Sequence, residues 1–234
     1  MDQATIKEYQ AFAAEKLGFE FKQPELLITA LTHRSYVNEH KKQHLEHNER
    51  LEYLGDAVLE LVVTDYLYRN FNEPEGTLTS WRSALVRTES IGAAGEELGY
   101  APLVRLSKGE QHGSDRAHAV ILADCFEAVI GATYLDQGYE TAKRIIDQHI
   151  LTRFNQIIEQ ETWRDPKSHL QETTQKIDGS TPVYRTLKDE GPDQNKTFTV
   201  GVYVGNRLMG TGVGHSKQEA QGLAALEVIK RYQH

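Results

Sequence analysis

The sequence predicts an all-α domain followed by a small α+β domain with the order α-β-β-β-α. Three observations carry that expectation. Apolar residues recur every three or four positions from near the start to about residue 161, the period of a helix with one buried face. From Thr181 onward the period falls to two, the pattern of a strand with one covered face. Charge divides at nearly the same place. Residues 164–234 hold 10 Lys and Arg against 8 Asp and Glu, a net of +2, whereas residues 1–163 hold 16 against 26, a net of −10. The expected organisation is a helical domain over 1–161, a linker over 162–165 and the α+β domain over 166–234.

A chain of 234 residues with 39% hydrophobic and 26% charged side chains has the make-up of an ordinary soluble globular protein with enough material for a real core. The single cysteine, Cys125, rules out an internal disulfide and fits a reducing compartment. The polar start, MDQATIKEYQ, lacks a signal-peptide pattern, and no apolar run reads as long enough to span a bilayer. A cytoplasmic location without membrane attachment is therefore expected. The net charge of −8 argues against a nucleic-acid partner, but the mildly basic C-terminal part permits phosphate binding.

In order along the chain, ATIKEYQAFAAEKLG reads as a helix stopped by Gly18, and Pro24 opens a second helix, PELLITALTHRSY. Residues 36–47 are polar. Their His40, His44 and His47 have spacings compatible with zinc, but no cysteine lies nearby and nothing apolar closes a site, so a solvated connection is expected. A long helix follows from His47 to about Phe71, ended by Pro74, Glu75 and Gly76. Leu78–Leu98 reads as one helix or two, with Gly99 as the stop; Lys108–Ala119 reads as a loop whose histidines lie at the surface. Val120–Asp136 is strongly apolar and helical, and 139–161 reads as one amphipathic helix. Asp165 and Pro166 are an N-cap and first-turn pair opening a short helix. Strands are expected over Val183–Leu187, from Phe198 to Val204, and over Arg207–Val213, with Gly205 and Asn206 as a two-residue turn between the last two. Ser216 and Glu219 form a capping box that opens the final helix, to about Arg231.

The chemistry concentrates in two helices. In HNERLEYLGDAVLEL, Glu49, Glu52 and Asp56 are three and then four apart and share one stripe, while Leu51, Leu54, Val58 and Leu61 mark an apolar period. With Tyr53, Ala57 and Leu59 added, the helix is apolar nearly all round, which predicts burial and carboxylates aimed into a groove or interface. Asp124 and Glu127 share a face of the second helix, with Gly131 one turn on leaving room above them. Two like charges ~4 Å apart repel by roughly 4 kcal/mol at an effective dielectric near 20. Four carboxylates brought together by side-by-side packing thus call for a cation. Oxygen-only donors suit magnesium or manganese rather than zinc. Acids at helical spacing are more often a solvated face, and either helix alone would be read that way. Cys125 reads as a small buried apolar residue.

These stretches resemble the ribonuclease III family. HNERLEYLGDAVLEL is similar to its signature, LTHRSY at Leu31–Tyr36 to its upstream motif, PEG at Pro74–Gly76 with ALVRTESI to its middle segment, and ILADCFEAVIGATYLD to its second acidic motif. The C-terminal part, with HLQE at His169–Glu172 and GTGVGHSKQEA at Gly210–Ala220, resembles a double-stranded-RNA-binding domain. The resemblance implies an all-α nuclease domain before that domain, and a homodimeric, magnesium-dependent endonuclease on double-stranded RNA. It implies products with 5′-phosphate and 3′-hydroxyl ends and short 3′ overhangs. It makes Glu52, Asp124 and Glu127 metal ligands, Asp56 and Glu127 the residues essential to chemistry, and Glu49 and Glu75 supporting acids. Tyr53 falls where the family usually has Phe as a dimer contact. Gln171 is placed to reach the RNA minor groove and Lys217 to meet phosphate.

The sequence also departs from the family pattern. Lys217 is followed by Gln218 and Glu219 where consecutive basic residues are usual, and Gln194 stands where His is common. The segment before Ile121 reads DRAHAV rather than ending in the usual Ser. Gly222 inside the last helix costs about 1 kcal/mol relative to Ala. Weaker, more salt-sensitive RNA binding than in a typical relative is expected. Processing of ribosomal RNA precursors and messenger RNA is the role the resemblance suggests. The alternative is a non-cleaving regulator that binds double-stranded RNA; a phosphohydrolase of small phosphoesters leaves the C-terminal domain unexplained.

Overall fold

A computed structural model of the chain describes residues 2–161, 163–192 and 196–232. The chain separates into two compact units, Met1–Trp163 and Arg164–His234. The first is built of helices α1 (Gln3–Phe12), α2 (Pro24–Ala30), α3 (Arg34–Glu39), α4 (Glu49–Asn70), α5 (Glu75–Leu85), α6 (Thr88–Leu98), α7 (Asp115–Gln137), α8 (Tyr139–His149) and α9 (Phe154–Glu159). The second runs α10 (Pro166–Asp178), β1 (Pro182–Glu190), β2 (Thr197–Val204), β3 (Arg207–Gly214) and α11 (Lys217–Tyr232). An all-α unit is thus followed by an α-β-β-β-α unit.

Helix α7 is the spine of the first unit. Ile121, Ala123, Cys125, Phe126, Ala128, Val129, Ile130 and Ala132 are buried, with α4 on one side and α6 on another. Buried Leu51, Val58, Leu59, Val62, Val63 and Leu67 make the matching face of α4. By length and composition α7 is apolar enough to cross a membrane, contrary to the expectation that no such run exists. Most of that stretch is buried within the unit, so it is the core helix that carries the hydropathy. Near its end, Asp136 is buried and accepts the backbone N–H groups of Lys22 and Gln23, both at 2.8 Å, which fastens the entry to α2.

Several boundaries differ from the sequence expectation, each for a local reason. The helix from Pro24 stops at Ala30, because Thr32 forms a parallel bridge with Arg105 and the His33 side chain caps α3. Helix α7 begins at Asp115 rather than Val120, since the Ser114 hydroxyl accepts the Ala117 N–H and caps it. Glu75 and Gly76 end nothing: α4 closes at Asn70, and they form the first turn of α5. The stretch 139–161 breaks after His149 into a tight turn, Leu151–Arg153, before α9. The break turns Phe154 into an aromatic cluster, with ring centroids 4.9 Å from Phe71 and 5.3 Å from Trp81.

In the second unit the sheet is antiparallel in the order β1-β2-β3. A bulge at Leu187 shifts the β1–β2 register, and β1 runs on to Glu190. Gly205, at φ +60°, turns β2 into β3. Val200 and Val202 face inward, where Val202 packs with Leu170, Ala224, Ala225, Val228 and Ile229. Helix α11 lies directly on the backbone of β3: a Cβ on Gly212 would stand 2.2 Å from the Ala220 carbonyl oxygen. Half of the predicted capping box is formed: the Glu219 N–H donates to the Ser216 hydroxyl at 3.1 Å, but the Glu219 carboxylate accepts the N–H of His215, one residue before the cap, at 2.8 Å.

Candidate nuclease site and RNA-binding unit

The acid-bearing helices α4 and α7 cross backbone to backbone. A Cβ on Gly55 would stand 1.7 Å from the Glu127 carbonyl oxygen, and one on Gly131 2.2 Å from the Leu51 carbonyl oxygen. Only glycine tolerates approaches this close. The room that Gly131 leaves is therefore filled by the main chain of α4, and the helices touch at Gly55, between Glu52 and Asp56 in the sequence, and at Gly131, one turn past Glu127.

Electrostatics shows the pairs facing each other. Glu127 is partly buried, and its carboxyl is pushed up to about 8, first by burial and then by the charges of Asp56, Glu52, Asp124 and Glu60. Glu52 is pushed up to about 7 by burial, then by Asp124, Glu49 and Asp56. Asp124 is raised by burial, with His33 pulling it back down and Glu49 adding to the rise. Among the described residues no side-chain hydrogen bond or salt bridge engages these carboxylates, so their repulsion is uncompensated. These mutual charge effects put Glu52, Asp56, Asp124 and Glu127 in one neighbourhood. No three His, Cys, Asp or Glu side chains of the described residues stand close enough to share a metal ion.

The remaining expected residues are placed as follows. Glu49 pairs with Arg34 at 3.5 Å and lies 3.8 Å from His47 Nδ1. Glu75 is exposed in the first turn of α5 and accepts the Thr79 hydroxyl at 3.0 Å; none of the four carboxylates is its hydrogen-bond partner. Asp56 is exposed, and so is Tyr53, at 82%. Burial of α4 all round is thus not what the structure has. Tyr53, Ala57, Leu61 and Tyr68 form an open stripe along it, because the core takes only one side of the helix. Cys125 is fully buried, and His40 stacks on Tyr36 at 4.0 Å.

Reading the sequence passed over three residues beside the site. Glu60 is one turn beyond Asp56 but is neutralised by Arg82 at 2.9 Å. The Nδ1 of His33 accepts the Ser35 N–H at 3.3 Å. Asn48 is 1% exposed and precedes α4 without capping it through its side chain. An Asn ahead of a helical run reads as an ordinary N-cap, so nothing in the pattern singled it out.

In the second unit, Gln171 lines a groove of about 390 Å³ with Lys167, Ser168, Tyr184, Gln218 and Gly222. Lys217 stands at the start of α11, its ammonium 5.8 Å from the centre of the Phe198 ring. The position of Gln194 lies outside the described residues.

The comparisons with known proteins agree with this architecture. A family profile described as Ribonuclease-III-like matches residues 23–154, and one described as Double-stranded RNA binding motif matches 166–232. Ribonuclease 3 of Oceanobacillus iheyensis is 44% identical over 216 residues, covering 92% of this chain and 94% of its own. Ribonuclease 3 of Bacillus cereus is 45% identical over 218 residues, covering 93% and 89%. The crystal structure of the nuclease domain of ribonuclease III from Campylobacter jejuni superposes with a TM-score of 0.55 at 39% identity, covering 62% of this chain and 95% of that one. A second structure of that domain, with a TM-score of 0.53 at 38% identity and covering 60% of this chain and 97% of that one, is described by structural flexibility in a region involved in dimer formation. Two acid-bearing helices locked at a glycine crossing, an α-β-β-β-α unit following in the sequence and this degree of identity over nearly the whole length place the chain in the ribonuclease III family.

Proposed function

We propose that this chain is an endoribonuclease that hydrolyses double-stranded RNA, with its site at the crossing of α4 and α7. The observation that carries the reading is that crossing: two uncompensated acidic pairs meet there, in a chain that also holds an RNA-binding motif. The donor set fits a hard divalent cation. It consists of carboxylates without thiolate ligands, and its raised affinity for protons is a raised affinity for positive charge in general. Glu52, Asp124 and Glu127 would hold magnesium, with manganese as a substitute. Such an ion, when bound, would make a water more acidic and offset negative charge on the phosphate.

The chain's own residues then divide the work. Asp56 and Glu127 are the catalytic carboxylates; Asp56, at the open side, is free to take a proton from the attacking water. Glu49 and Glu75 support the site from its edges. The water oxygen bonds to phosphorus as the bond from phosphorus to the 3′-oxygen breaks, and that oxygen takes up a proton, which leaves a 5′-phosphate and a 3′-hydroxyl. Cleavage of both strands needs two such sites, and the exposed Tyr53, Ala57, Leu61 and Tyr68 stripe supplies an apolar face for homodimer formation. Two offset cuts give the short 3′ overhangs. Gln171 would meet the minor groove and Lys217 phosphate, the latter with the first N–H groups of α11. The work of such an enzyme in the cytoplasm is processing of ribosomal RNA precursors and messenger RNA.

The test is to incubate the protein and its Glu127→Gln variant with long double-stranded RNA and magnesium. Cleavage by the first and none by the second is expected. Binding without cleavage by both would favour a non-cleaving regulator, and equal cleavage would remove Glu127 from the site.

A further inference from the structure

The LTHRSY stretch has no part in the chemistry above, yet it is tied to it through one buried residue. The Asn48 N–H donates to the Thr32 carbonyl at 3.0 Å, and the Asn48 carbonyl accepts the N–H groups of Leu51 at 2.8 Å and Glu52 at 2.9 Å. Its side chain does not do what an Asn before a helix ordinarily does. It leaves the α4 N–H groups alone, and its Nδ2 instead donates to the Cys125 thiol of α7 at 3.8 Å. Asn48 is 1% exposed and Cys125 is fully buried, so no water competes for the contact. Glu49 follows Asn48 directly and Glu52 is one turn on; Asp124 precedes Cys125 directly and Glu127 follows two residues later. Thr32 is in turn held by its hydroxyl on the Ile28 carbonyl at 2.6 Å and by the bridge to Arg105.

We propose that Asn48 is a positioning residue: anchored by the Thr32 carbonyl and joined to the Cys125 thiol, it sets how Glu52 on α4 stands against Asp124 on α7. The glycine crossing fixes the distance between the helix axes at Gly55 and Gly131. Core packing farther along α4 holds the angle on one side of that point, and the contact at Asn48, about two turns toward the start of α4, holds it on the side where Glu52 stands. The LTHRSY motif then serves as the brace that keeps Asn48 in place. This inference rests on the metal site proposed above.

The experiment measures manganese binding to the metal-free full-length protein by calorimetry, beside the magnesium dependence of double-stranded RNA cleavage. Asn48→Ala is expected to weaken manganese binding by about tenfold, the lower end of what loss of a ligand-orienting contact costs. It should raise the magnesium concentration for half-maximal cleavage in step, with the rate at saturating magnesium little changed. Cys125→Ala, which removes the acceptor and leaves Asn48 in place, should do the same, and Cys125→Ser, which restores an acceptor, should bind manganese close to wild type. Wild-type affinity in Cys125→Ala overturns the proposal, as does equal weakening in Cys125→Ser and Cys125→Ala. If Asn48→Ala fails to fold, the two Cys125 variants decide alone. Failure of the wild type to bind manganese would instead overturn the metal site itself.

Discussion

A methyl group on Gly55 would occupy space already held by the Glu127 carbonyl. The Cβ would stand 1.7 Å from that oxygen, so α4 and α7 must part by on the order of 1.5 Å to reach ordinary contact. A radial gap of 0.5–1 Å already forfeits about a quarter to a half of the dispersion between facing atoms, and overpacking alone costs about 1–3 kcal/mol. With the overpacking at the top of its range, because the contact is with main chain that cannot swing aside, and about 0–2 kcal/mol more for the contacts opened elsewhere along the helices, Gly55→Ala should cost about 3–5 kcal/mol. Both tryptophans, Trp81 and Trp163, belong to the helical unit, so fluorescence excited selectively at tryptophan follows that unit in urea. With an m-value of about 2 kcal/mol/M, the midpoint should fall by about 1.5–2.5 M. Gly131→Ala, at 2.2 Å, should cost somewhat less. Gly76→Ala, with nothing within 4 Å, should leave the midpoint nearly unmoved. A drop of less than about 0.5 M for Gly55→Ala would refute the backbone-contact reading.

Four further outcomes are expected. Glu127 has its carboxyl raised from 4.5 to about 8, so the folded protein binds more protons than the unfolded one between those values, and metal-free stability should fall as pH rises through that window. Because the group is partly solvated the loss is on the order of 1–2 kcal/mol; Glu127→Gln should reduce the pH dependence in thermal melts, leaving the part due to Glu52, and added magnesium should offset it at pH 8. Gly222 lies in α11 with open space around a would-be Cβ, so Gly222→Ala should stabilise the second unit by about 0.5–1 kcal/mol, read from circular dichroism in urea. Asp136→Asn turns one of two acceptors for Lys22 and Gln23 into a donor and should cost the helical unit about 1–3 kcal/mol by the same fluorescence assay. Lys217→Ala should weaken binding to unrelated double-stranded RNA sequences alike and lower the slope of log affinity on log salt by about 1, while an unchanged slope would mean that Lys217 meets no phosphate.

Much of this was legible in the sequence because it is written in periods. The spacing of Leu51, Val58, Asp124 and Glu127 yields two helices with acids on chosen faces, and the alternation from Phe198 to Val204 yields the central strand. What was not legible depended on partners far along the chain. Thr32 breaks a helical run because Arg105 bridges it, and Asn48 looks like an N-cap because Cys125 is 77 positions away. Periodicity reports that a side chain is apolar but not whether anything covers it, so Leu61 and Tyr53 counted toward burial although both are open. A helix pattern fixes where side chains start but not how their oxygens are arranged, so it brings Glu52, Asp56, Asp124 and Glu127 near one another without giving the geometry of a metal site.

The contact of Gly55 with Gly131 has one more consequence. A spacing defined by peptide groups has no rotamers, and it does not change when a neighbouring core side chain is exchanged. Substitutions at Val62 or Val129, elsewhere along the same two helices, can loosen or tighten packing locally while the gauge between the acidic pairs stays as the main chain sets it. The interface can therefore drift in composition over most of its length, provided that two positions remain without a side chain.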